Sequence, residues 1–143
     1  MNIEIKNVKI SQFASHETTC FQATVLVNGK KAFIASNDGQ GGCDNHQNID
    51  AGLFAQAEAY VKTLPNEPEF DLPMELELFI GELIAQYQED RRLARLSKTA
   101  TLFTVEGKTA KGEYLTIKKV GPEVVAYIMS KYPTAVIYTP KGK

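Results

Sequence analysis

The chain has no tryptophan, two cysteines, two histidines and no long hydrophobic run. Each scarcity excludes something. A membrane span needs roughly 18 or more consecutive apolar residues, and none is present. Two cysteines cannot form a disulfide framework, and at 143 residues none is required, because one domain of this size buries an adequate core unaided. The opening residues, Met1-Asn2-Ile3-Glu4-Ile5-Lys6, lack the basic and then apolar layout of an export signal. A cytoplasmic, reducing setting with free thiols is therefore expected, with no membrane partner. Gly-x-Ser-x-Gly, His-Glu-x-x-His and a Gly-Lys-Ser/Thr P-loop are all missing, so neither an enzyme nor a cofactor is expected.

Charge of one sign is also scarce. The net charge is −1, too close to zero for a DNA mimic and unfavourable to a dedicated nucleic-acid binder, whose affinity comes from phosphate neutralisation. The charge is uneven, however: residues 98–143 carry 8 Lys+Arg against 3 Asp+Glu. Lys108, Lys111, Lys118, Lys119, Lys141 and Lys143, with Arg91, Arg92 and Arg95, could form a solvated face or meet an acidic or phosphate-rich partner.

What is present reads as one α+β domain spanning residues 1–143. Antiparallel sheet from two β-hairpins packs against about three helices, one of them long. Ile3, Ile5, Val8 and Ile10 alternate with a slip near Asn7, which predicts a bulged strand. Asn28-Gly29 between Cys20–Val27 and Lys30–Ser36 predicts a type I′ hairpin turn. Regular pairing from that turn sets Val25 opposite Ala32, Ala23 opposite Ile34 and Cys20 opposite Asn37, with Phe33 and Ala35 away from the Ala23–Val25 face. Asp50 caps a helix from about Ala51 to Leu64, and Pro65–Asp71 is an extended acidic connector. Asp71 and Pro73 open the long helix, which runs to about Leu96. Ala100–Val105 and Glu113–Val120 form the second hairpin. A third helix begins at Gly121-Pro122-Glu123 and buries Val124, Val125, Ile128, Met129 and Tyr132. Ala135–Tyr138 is a last strand, and residues 140–143 are a frayed tail.

The stretch between the first hairpin and the first helix, Ser36–His46, holds three of the ten glycines beside many polar side chains. Successive glycines let amides converge into an anion-binding nest, and the following helix start favours negative charge. Asn37, Asp38, Gly39, Gly41, Gly42, Asp44 and His46 are the candidate ligand-binding residues for a nucleotide or other phosphate ligand. The alternative is a plain turn. His16-x-x-x-Cys20 with Cys43-x-x-His46 has the makings of a Cys2His2 zinc set and would support a metal-dependent enzyme. Two buried thiols and two surface imidazoles fit the same spacing, as does a Cys20–Cys43 disulfide. Cys43, His46 and Asp44 could form a nucleophile, base and orienting acid, although neighbours in one loop seldom supply all three roles.

The runs Cys20-Phe21-Gln22-Ala23-Thr24-Val25, Asn28-Gly29-Lys30-Lys31-Ala32 and Ser36-Asn37-Asp38-Gly39-Gln40-Gly41-Gly42-Cys43 resemble small bacteriophage and prophage accessory proteins. The resemblance carries no catalytic residues. It implies life in a host cytoplasm and action by binding: a non-enzymatic, anti-defence inhibitor of a host protein. The expected contact is through exposed aliphatic or aromatic residues on the long helix and hairpins.

Overall fold

The computed structural model describes residues 1–140; the predicted frayed tail, apart from Pro140, lies outside them. The protein is α+β, with two antiparallel sheets and three helices, the longest of 21 residues. No described helix is long and apolar enough to cross a membrane. The chain divides into two compact units, Met1–Ile84 and Ala85–Lys143.

The N-terminal unit is built on β1 (Ile3–Ser11), β2 (Cys20–Val27), β3 (Lys30–Asn37) and β4 (Asn45–Asn48), paired in that order. The slip predicted at Asn7 is a bulge: pairing with β2 shifts between Lys6 and Lys9, and Asn7 has φ 51°. The Asn28-Gly29 turn has φ 51° and 84°, the positive pair that a type I′ turn requires. Asn28 also ties down the N-terminus, donating its amide to the Asn2 carbonyl and accepting the Asn2 amide on Oδ1.

Beyond the turn the register departs from regular pairing. Val27 faces Lys30, but a second shift sets Val25 opposite Phe33, Ala23 opposite Ala35 and Phe21, in place of Cys20, opposite Asn37. The cause is a bulge around Ala32. One extra residue reverses every later side chain, so Phe33 and Ala35 turn into the core and are fully buried, while Ile34 is half-exposed. Burying Phe33 explains the preference, since truncating such a phenylalanine costs about 3–5 kcal/mol.

Helix α1 (Ala51–Val61) starts where Asp50 accepts the Leu53 amide at 3.0 Å. It ends three residues sooner than its apolar stripe suggested, in tighter turns from Thr63 to Tyr60 and Leu64 to Val61. Helix α2 (Leu76–Leu96) starts after Pro73, and Asp71 does not cap it. Asp71 has φ 54° and accepts from Asn66, because the connector is folded rather than extended: Glu67 bridges to Leu72, and its carboxylate accepts the Glu69 and Phe70 amides. The unit's core joins Val25, Val27 and Phe33 of the sheet to Ala57 and Val61 of α1 and Ile80 of α2.

In the C-terminal unit, β5 (Thr101–Thr104) lies between β6 (Leu115–Ile117) and β7 (Val136–Ile137) as a separate three-stranded sheet. Helix α3 (Pro122–Lys131) follows Gly121, whose φ of 128° suits glycine alone. Val124 and Ile128 pack with Phe103, Val105 and Ala135, and Tyr132 is partly buried against them. Val125 and Met129, expected in this core, lie outside it at 37% and 39% exposure. The helix is apolar on most of its circumference, so spacing alone could not select the buried side.

Candidate functional site

Segment 36–46 does not run straight into α1. It is a β-hairpin: residues 38–44 join β3 to β4, and Ser36 pairs with Asn45 and Ala35 with His46. At its root is Asn37, 8% exposed. Its Oδ1 accepts the Thr18 hydroxyl at 2.6 Å and the Gly39 amide at 2.8 Å. Its Nδ2 donates to the Gly42 carbonyl at 2.9 Å and to Asp44 Oδ1 at 3.1 Å. Both donors and both lone pairs of the amide are thereby used.

Four of the loop's own amides are likewise engaged. Gly39 donates to Asn37, Gln40 to the Asp38 carboxylate at 3.0 Å, Gly41 to Thr18 Oγ1 at 3.3 Å, and Asp44 to Glu77 Oε1 at 2.7 Å. Three amides do converge as a nest, but in the neighbouring β1–β2 loop: His16, Glu17 and Thr18 point at the Gly39 carbonyl from 3.1, 2.9 and 3.4 Å. The position an anion would take in that nest is filled by the protein's own carbonyl oxygen. Gly39 (φ 85°) and Gly41 (φ 90°) are needed for this fit, since a Cβ would strike the Ala14 carbonyl oxygen and the Glu17 carboxylate respectively. Gly42 has no such demand: it is exposed with open space about it.

Asp38 is exposed and Asp44 half-buried. Burial pushes the Asp44 carboxyl above its ordinary value; the Asn37 bond opposes this, the Glu77 charge adds to it and His46 opposes it. His46 lies on the helix side of the sheet, its ring 5.2 Å from Phe33 and 5.7 Å from Phe54. Its Nε2 is buried without a hydrogen-bond partner among the described residues. A hollow of about 320 Å³ is lined by His46, Glu58, Lys62, Glu75, Leu76 and Glu77.

Cys20 is half-buried, Cys43 and His16 are exposed, and both cysteines are free thiols. Among the described residues no three His, Cys, Asp or Glu side chains are placed to share a metal ion, so the structure does not assemble His16, Cys20, Cys43 and His46 into a zinc set. Nor does it build the Cys43–His46–Asp44 constellation into a working order, with the thiol outside and the imidazole between two phenylalanines.

Sequence reasoning missed Thr18 and Glu77, which hold the loop from 19 and 33 positions away. Glu77 carried only the signal of an acid in a first helical turn, where it answers the helix dipole. Of the predicted basic face, Arg92 is paired with Glu89 at 2.6 Å and Arg91 lies over the Tyr87 ring, while Lys141 and Lys143 fall outside the described residues.

No protein-family description matches the chain, and neither curated proteins nor solved structures include a significant relative.

Proposed function

We propose that this chain is a non-enzymatic, phage-type accessory protein that binds and inhibits a host protein, with α3 as its docking helix. One observation carries the docking role. The outer side of α3 is apolar: Val125 and Met129 are exposed, one turn apart, and Pro122 and Ala126 complete the i, i+3, i+4, i+7 stripe. A helix whose apolar character continues beyond its buried stripe gains by covering the remainder. The host target and the inhibitory, anti-defence role rest on the resemblance of residues 20–43 to phage and prophage accessory proteins. The glycine-bearing loop does not favour the nucleotide alternative, because its Gly39, Gln40 and Gly41 amides serve Asn37, Asp38 and Thr18.

The test pairs the wild type with a Val125→Gln/Met129→Gln double variant. Both are used to capture partners from host lysate, and the captured protein is then assayed for activity with each. The wild type is expected to retain and inhibit a defined partner that the folded double variant releases. Equal capture by both would remove α3 as the docking surface, and a captured partner whose activity is unchanged would remove inhibition.

A further inference from the structure

The net charge of −1 conceals a division that follows the two units. Residues 1–84 carry 12 acidic and 5 basic side chains, a net of −7; residues 85–143 carry 5 acidic and 11 basic, a net of +6. Within the basic unit, one flank of α3 gathers lysines around aromatic rings. Lys108 Nζ lies 4.9 Å from the Tyr132 ring centre, and Lys131 Nζ lies 5.6 Å from the same ring and 6.0 Å from that of Tyr127. This is not the flank of Val125 and Met129. At 100° per residue, Tyr127 and Lys131 sit on the opposite side of the helix.

Two features make the cluster more than a solvated face. First, two ammonium groups converge on one ring, and among the described residues neither is ion-paired; the one ion pair there is Glu89–Arg92. Glu123, one turn before Tyr127, bounds the patch on its N-terminal side. Second, the two rings differ in a useful way. Tyr132 is half-buried against Phe103, with ring centres 5.8 Å apart, and so is held in place; Tyr127 is 55% exposed. Cations beside an exposed aromatic ring suit a ligand that alternates phosphate with a flat base.

We propose that the Tyr127–Lys131–Tyr132–Lys108 flank of α3 binds single-stranded nucleic acid, with a base stacked on Tyr127 and backbone phosphate between the two lysines. The site is separate from the Val125–Met129 face and does not depend on the partner-binding role assigned to it.

Fluorescence anisotropy of a labelled oligothymidine, titrated with the full chain over a range of salt, tests this. Tyr127→Ala is expected to weaken binding about tenfold, while Tyr127→Phe, which keeps the ring, binds like the wild type. Lys108→Gln and Lys131→Gln should each reduce the slope of log affinity against log salt by about 0.7, the value of one single-strand phosphate contact. Lys30→Gln in the other unit should change neither, and Val125→Gln/Met129→Gln should leave binding intact. No binding at low salt overturns the proposal. So does an unchanged affinity in Tyr127→Ala, or equal binding of a duplex, since either would leave only unspecific charge attraction. Competition by polyglutamate as effective as by unlabelled oligothymidine would assign the patch to an acidic protein and likewise overturn it.

Discussion

The loop joining β3 to β4 and the outer surface of α3 treat their functional groups in opposite ways. The loop has the composition of a ligand site, yet its polar atoms answer one another: Asn37 holds Thr18, Gly39, Gly42 and Asp44, and Glu77 holds the Asp44 amide. Helix α3 has the composition of a core helix, yet Val125, Tyr127 and Met129 face outward. Polar, glycine-bearing sequence is thus no guide to what is offered to a partner; what matters is whether neighbouring chain has already satisfied it.

That contrast is most sharply tested at Gly39. Its positive φ and its approach to the Ala14 carbonyl mean that Gly39→Ala must break the interlock of the two loops, at a cost of about 3 kcal/mol in urea unfolding. A loss below about 1 kcal/mol would show the loop free enough to serve a ligand after all. Asn37→Ala comes next. It strands the Gly39 amide and Thr18 hydroxyl in a shielded place, for an expected loss of about 2 kcal/mol by the same measurement.

Asp44 gives a smaller effect with a characteristic pH dependence. Its carboxyl is raised above 3.8, chiefly by burial, so the folded chain holds that proton more tightly than the unfolded chain. The penalty for ionising it is absent in strong acid, grows as pH rises from 3.8 through the raised folded value and is complete at neutral pH. Asp44→Asn keeps an acceptor for Asn37 without the charge. It should exceed the wild type at neutral pH by about 0.5 kcal/mol, the partly exposed site being screened, and the difference should vanish in acid. Smallest of all, Val125→Gln and Met129→Gln should each change stability by no more than about 0.5 kcal/mol, because neither side chain belongs to the core. A larger loss would return them to the interior and end the contrast.

Where one residue's local chemistry decides, the sequence was legible. The Asn28-Gly29 turn, the Asn7 bulge and the Asp50 cap each need only neighbours within a few positions. Strand β4 was not legible, since Asn45-His46-Gln47-Asn48 has no apolar alternation to mark it as a strand. The role of Asn37 depended on Thr18, which the β1–β2 turn brings into reach only after folding. For α3, adjacent valines at 124 and 125 satisfy either choice of buried side, and tertiary packing makes that choice.

The Ala32 bulge has a consequence for how this chain can change. Straightening the pairing through Ala32, with no residue lost, would leave composition and hydropathy untouched, yet would exchange the inner and outer populations of β3 from Phe33 onward. The ring that His46 rests on and the amide that gathers the loop would both be carried to the wrong side together. Substitutions at 33–37 can therefore accumulate gradually, whereas a slip of pairing at this point acts on all of them at once, as a shift of reading frame acts on a gene.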